Sequence, residues 1–422
     1  MTKEMQRAIG PDLLDSELVG KPWLIRERAE LGGPVYWSEK RRLWFVTGYP
    51  ETGEALRDPR FSITQKLTKP EQTQDLSKEA LELRRQLYAG GLTHLNFACG
   101  RSLLVMDPPE HTPYRALLQP YFLPNEVGRL EPTIERLVGK LLDSWEGQQR
   151  VDVMESLAYK LPILLFADIL GIPENLRAGF HNYDAYNATR ATKSNLATTE
   201  DYRAAASQGA LYAQKFVEVI SEKRACPAHD ILSALITGTV NGVPLPEKQI
   251  LAMIYLLNTG SQSTTTALIG NAIYFLLKFG HWEELRAEPS LLPGAIEEAL
   301  RFSPPAVESG RMVTEDMDFY GQRLRKGDNV LFSYAAANRD PREFKEPKKF
   351  LVGRTPNRHL AFGPGPHLCL GAPFARREAL VVLRRALERF PELELDGEPE
   401  HANTFGFSRL YVRPNEHRRG CE

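Results

Sequence analysis

A chain of 422 residues in which 53 lysines and arginines nearly balance 54 aspartates and glutamates has a net charge of −1, which excludes nucleic-acid binding driven by overall charge while leaving local patches open. Hydrophobic residues make up 42 % and only four residues are cysteines, enough core without disulfides, and this points to a reducing cytoplasm. No internal repeat or long Gly/Ser-rich linker divides the chain, so residues 1–422 are expected to form one domain.

Residues 1–32 are charged throughout and contain no apolar run of membrane-spanning length, so no membrane anchor is expected there. Residues 35–46 (VYWSEKRRLWFV) alternate apolar and polar around a charged centre, which predicts two strands and a turn. At 107–109 the sequence DPP stops local helix formation, and EHTPYRALLQPYF at 110–122 can then open a helix. That helix puts His111 and Arg115 one turn apart on one face, where both can donate to an anion; taken alone the pair reads by default as an ordinary surface pair, and the adjoining MDPPEHT reverses that preference.

A long helical stretch follows from Pro246 to Lys278, spanning roughly 50 Å at 1.5 Å per residue. It is apolar on most faces, yet Asn258, Gln262, Ser263, Thr264 and Thr265 cluster around Gly260 in its middle. Buried polar groups need partners, so the cluster predicts an interruption lined by hydroxyls and water and facing a cavity. The plainer reading is that the hydroxyls bond carbonyls one turn back. Pro293 and Gly294 start a further helix in which Glu298 and Arg301, three residues apart, share a face and can pair. Arg311 and Arg354 follow in the segments SGRMVTEDMDFYG and FLVGRTPNRHLAFG.

Residues 362–371 (FGPGPHLCLG) place Cys369 in a loop stiffened by glycine and proline, directly before a stretch with leucines and valines at helical spacing, 372–390. Amide donors and the dipole at such a helix start favour a thiolate, which is what an axial iron ligand must be. A buried structural thiol is the alternative. Cys99, Cys226 and Cys421 form no C-x-x-C pair, so a zinc site has no support.

The loop resembles the cysteine loop of the cytochrome P-450 superfamily, F-G-x-G-x-H-x-C-x-G, matched at Phe362, Gly363, Gly365, His367, Cys369 and Gly371. The resemblance implies a mainly α fold, a large helical region with a small β-rich region. It implies haem b (iron protoporphyrin IX) as cofactor, with Cys369 as its iron ligand, and reductive activation of dioxygen to hydroxylate or otherwise oxidise a small organic molecule. Without an anchor the chain resembles the soluble bacterial type, which takes electrons from a separate ferredoxin and ferredoxin reductase. On the family pattern His111, Arg115, Arg311 and His367 meet the haem propionates, and Phe362 packs against the macrocycle beside the sulfur. Glu298 and Arg301, joined by Arg354, take a structural role that holds the cysteine loop.

The stretch 246–278 resembles the family's oxygen-binding helix, A-G-x-[D/E]-T-T. Anchoring on LIGNA at 268–272 puts Thr264 at the oxygen-facing threonine and Ser263 where an acid usually stands. A register one residue earlier makes Gln262 the acid equivalent and Ser263 the hydroxyl. Neither register has a carboxylate, which puts the usual proton delivery in question.

Substrate contacts in the family come from dispersed segments, which map onto Leu95 and Asn96, onto Tyr183 and Tyr186 where the family has its mobile lid, and onto Asn258, Val307, Glu308 and Phe405. The polar members point to a secondary-metabolite precursor, free or bound to a carrier protein, unless they are solvated lid residues. Peroxide-driven oxidation, ring coupling or dehydrogenation stays open as another outcome. So does a catalytically silent module that binds haem or recognises a carrier.

Overall fold

The structure is a computed structural model that describes residues 7–18, 21–64, 78–79, 102–180, 198–402 and 406–415. The chain divides into two compact units, one drawn from residues 1–67, 138–158 and 264–422 and the other from 68–137 and 159–263.

The first unit holds a five-stranded sheet. Strands β1 (Val35–Ser38) and β2 (Leu43–Val46) form the expected antiparallel hairpin, with Val35 opposite Val46. With β3 (Phe61–Ser62), β4 (Glu308–Val313) and β5 (Asn329–Ser333) the order is β1-β2-β5-β4-β3, and only β2–β5 is parallel. Side chains alternate across a strand, and here both faces are covered. Val35, Trp37, Trp44 and Val46 pack into one apolar cluster with Phe61, Val313 and Phe332; Tyr36, Leu43 and Phe45 pack into another with Ile25, Ala29 and Leu331.

Three helices carry residues of interest: α1 (Glu247–Lys278), α2 (Leu292–Phe302) and α3 (Ala372–Arg389). Pro293 stands in the first turn of α2 and Pro373 in that of α3, where a missing N–H costs nothing. Within the first unit the end of α1 is pinned by Thr266 Oγ1, which donates to the Ala158 carbonyl at 2.9 Å, and by Asn271, whose amide donates to the carbonyl and hydroxyl of Ser303 at 3.0 Å. Phe275, Phe279, Phe302 and Phe350 close this region with ring centroids 5.0–6.0 Å apart.

The expected interruption at Gly260 is absent: α1 runs unbroken for 32 residues. Two hydroxyls beside Gly260 bond back along the helix. Thr259 donates to the Tyr255 and Leu256 carbonyls and Ser261 to that of Asn258, so no backbone bond has to be surrendered.

In the second unit the helices His111–Leu118, Lys160–Leu170, Thr199–Ala225 and Ile231–Thr237 take their ends from local chemistry. Thr198 and Asp201 form a reciprocal capping box, and Asp230 caps the last of these helices by accepting from the Ser233 N–H at 2.7 Å. Gly171 ends the second with φ 76°, and a Cβ there would strike Asp230. Among the described residues no helix is long and apolar enough to cross a membrane.

Candidate functional site

Cys369 lies in the turn that leads into α3. The loop is closed by its own backbone: Cys369 N–H donates to the Phe362 carbonyl at 2.8 Å, Leu368 N–H to that of Gly365 at 3.0 Å, and Gly363 N–H to that of Leu360 at 2.9 Å. Gly363 and Gly365 have φ of 64° and 83°, and a Cβ on Gly365 would come within 2.6 Å of the Leu56 carbonyl oxygen. The thiol is exposed, which removes the buried structural cysteine as an alternative.

Arg311 sits buried in β4, its Nη1 donating to the Gly310 carbonyl at 2.8 Å. Tyr334, fully buried, shows that this strand and the cysteine loop converge. Its hydroxyl donates to Ser309 Oγ at 2.8 Å and lies 3.3 Å from where a Cβ of Gly363 would stand. Burial raises the Tyr334 phenol foremost; Ser309 and Arg311 oppose that, and Cys369 adds to it, so arginine and thiol act on the same point. His367 is half-buried in the same loop.

The loop's support is the cluster around Glu298, wholly buried on α2. Arg301 pairs with it bidentately at 2.8 Å and donates to the carbonyls of Asn338, Pro347 and Lys349. Arg354 Nε donates to both carboxylate oxygens at 3.1 and 3.0 Å, and Leu351 N–H and Asn357 Nδ2 donate as well. Five donors on one carboxylate offset the cost of taking it out of water. Asn338 extends the clamp to the cysteine loop, accepting from Leu360 N–H at 2.7 Å through its side chain. Sequence alone missed Asn338, whose only signal is its place in NRDPREF.

Thr264, in the first unit, is half-buried on α1, while Thr265 and Thr266 are buried. Ser263 and Asn258 belong to the second unit, where Asn258 is buried and its Oδ1 accepts from Gln262 Nε2 at 2.6 Å. That unit also holds His111 and Arg115, in the predicted helix. Burial lowers the His111 imidazole foremost, Arg115 lowers it further and Asp107 opposes, so His111 tends to the neutral form. Val307 and Glu308 are half-buried at the start of β4; Leu95, Asn96, Tyr183, Tyr186 and Phe405 lie outside the described residues. Glu378 on α3 was not foreseen: it is fully buried, burial pushes its carboxyl up to about 8, and among the described residues its Oε2 has no partner.

The Cytochrome P450 family model matches residues 71–417. The chain belongs to the cytochrome P-450 family. It is 34 % identical to cytochrome P450 monooxygenase PikC of Streptomyces venezuelae, over 92 % of this chain and 90 % of that one. The fold resembles P450BioI, solved in complex with acyl carrier protein ligated to hexadec-9Z-enoic acid, with TM-score 0.77 and 27 % identity over 94 % of this chain and 100 % of that one. It also resembles CxnD, a cytochrome P450 for C–S bond formation in chuangxinmycin biosynthesis, with TM-score 0.79 and 28 % identity over 99 % of each chain.

The protein is therefore an oxidoreductase of the haem b type. Its residues fit that group: one exposed sulfur donor stands on a rigid loop, and a buried arginine lies on the neighbouring strand. Among the described residues no cluster of three or more His, Cys, Asp or Glu offers a rival metal cage.

Proposed function

We propose that this cytochrome P-450 oxidises a polar small organic molecule, a precursor in secondary metabolism, with electrons from a separate ferredoxin and ferredoxin reductase in the cytoplasm. Residues 1–422 act as one catalytic domain, a reading supported by the interleaving of the two units along the chain. The observation that carries the proposal is the exposed Cys369 thiol on a loop held by its own backbone and by the Glu298 cluster. Haem, when bound, supplies the redox chemistry that activates dioxygen, and a thiolate ligand favours O–O cleavage.

The chain's own residues hold, orient and protonate. Cys369 would ligate the iron, and Arg311, His367, His111 and Arg115 would hold the two propionates by charge-assisted hydrogen bonds. Phe362 would pack against the macrocycle, and Thr264 would supply a hydroxyl proton. Ser263 supports that hydroxyl in the place where a carboxylate usually stands. On the family pattern the proposed substrate contacts are Asn258, whose side chain is held by Gln262, together with Glu308, Val307, Leu95, Asn96, Tyr183, Tyr186 and Phe405.

P450BioI, captured with an acyl carrier protein, supports a carrier-bound form of the substrate. Candidate molecules offered free and as carrier thioesters, with ferredoxin, ferredoxin reductase and dioxygen, test this: product and a substrate-induced shift of the Soret band are expected from one of the two forms. The missing carboxylate favours a second reading, in which the outcome is coupling or dehydrogenation rather than oxygen insertion. The similarity to CxnD points the same way. Product lacking an added oxygen atom would establish it.

A further inference from the structure

A second ion cluster lies beside the cysteine loop, separate from the one around Glu298. Arg376, on α3, pairs bidentately with Glu297 of α2, donating from Nε and Nη2 at 2.7 Å each. Its guanidinium also lies over the Phe362 ring, 4.5 Å from the centroid. His359 completes the set. Its Nδ1 accepts from the Ala361 N–H at 3.2 Å, so Nε2 carries the hydrogen and donates to Glu297 at 3.1 Å. Burial alone would raise the Glu297 carboxyl, but hydrogen bonds from Arg376 and His359 outweigh it and hold the group at about 2. Phe362 in turn passes its carbonyl to the Cys369 N–H at 2.8 Å. An unbroken series of contacts thus runs from Glu297 through Arg376 and Phe362 to the cysteine.

We infer that Arg376 is a positioning residue: it orients the Phe362 ring and, with Glu297 as its counter-charge, sets the electrostatic field at the Cys369 site and hence the reduction potential of the bound haem. This rests on Cys369 being the iron ligand. The Arg376 side chain is 42 % exposed while Glu297 and His359 are more deeply placed, so the cation stands at the solvent edge of the cluster and the carboxylate behind it. Reduction adds an electron to the haem. A nearby cation favours the reduced form and a nearby anion opposes it. In the intact pair the two charges largely cancel, and removing one exposes the other.

The test is the reduction potential of purified, haem-loaded protein, measured without substrate or redox partner. Arg376→Gln should lower the potential, because the Glu297 carboxylate is left unbalanced. Glu297→Gln should raise it, because the guanidinium is. The double variant should return toward the parent value, and Arg376→Lys should restore the potential of Arg376→Gln while losing the stacked, bidentate geometry. Simple loosening of the loop would move both single variants in the same direction; that result, or no movement in either, overturns the inference. The red-shifted Soret band of the reduced carbon monoxide complex is recorded for every protein. Its absence in the parent would mean that Cys369 is not the ligand, and the inference would fall with that reading, whereas its presence with potentials that move together sinks the inference alone.

Discussion

At the scale of single residues, chemistry follows from where one side chain is aimed and what surrounds it. Cys369 is the only described cysteine on a stiff loop ahead of a helix, since Cys226 lies at a helix end. Cys369→Ala should therefore abolish the red-shifted Soret band of the reduced carbon monoxide complex; persistence of that band would remove the central assignment. Thr264 and Ser263 make a sharper comparison. On the proposed register the Thr264 hydroxyl, with no carboxylate beside it, orders the proton, and general acid–base contributions of about 10²–10⁴-fold leave room for a large effect. Thr264→Ala should release more peroxide and yield less product per reductant consumed, with Ser263→Ala milder, when coupling is measured on the true substrate. The reverse order would favour the register in which Ser263 faces oxygen. Glu378 gives a pH prediction. Its folded-state pKa, about 8 against an ordinary 4.5, means the folded protein binds the extra proton and loses stability as pH rises between those values. The loss is on the order of 5 kcal/mol once the group is fully ionised. Melting temperatures recorded from pH 5 to pH 9 should fall less steeply for Glu378→Gln than for the parent; parallel slopes would show that the carboxyl is not taken up in the neutral form.

At the scale of elements, helix starts and strand pairs were legible because their signals are local. The hairpin of β1 and β2 follows from alternation in VYWSEKRRLWFV, and α2 and α3 follow from prolines ahead of periodic apolar residues. The continuity of α1 was not legible. Polar residues around Gly260 look the same in sequence whether they open the helix or bond back along it, and only the placed hydroxyls of Thr259 and Ser261 distinguish the two. Between elements the decisive contact is the Glu298 clamp. Breaking a buried pair by removing one partner typically costs 3–5 kcal/mol. Glu298→Ala and Arg301→Ala should accordingly give poorly folded or haem-free protein, read from the haem-to-protein absorbance ratio; a well-loaded protein with altered product selectivity alone would contradict the structural role. Gly365→Ala tests the loop itself, since the new methyl group meets the Leu56 carbonyl at a backbone angle unsuited to alanine. A cost of about 1–3 kcal/mol and faster haem loss are expected.

At the scale of the whole molecule, haem binds the folded chain and not the unfolded one, so it adds stability by mass action, about 2.7 kcal/mol at a hundredfold excess over the dissociation constant. Haem-loaded protein should melt well above haem-free protein, and Cys369→Ala should lose much of that difference; equal melting with and without haem would mean that folding does not depend on the site. Family membership, the thiolate candidate, the propionate candidates and the paired Glu298 and Arg301 could all be read from the chain, because each is carried by residue types at short fixed spacings. Sequence by itself also determined that neither register of the oxygen-binding-helix pattern, with Ser263 or Gln262 at the acid position, carries a carboxylate there. The tertiary structure alone decided that Cys369 is exposed, that Asn357 joins the expected Arg354 in the Glu298 clamp, and that Glu297, Arg376, His359 and Phe362 form one cluster. Those facts join residues separated by tens of positions, and neither hydrophobic periodicity nor a short motif records which side chains a folded backbone brings within hydrogen-bonding distance.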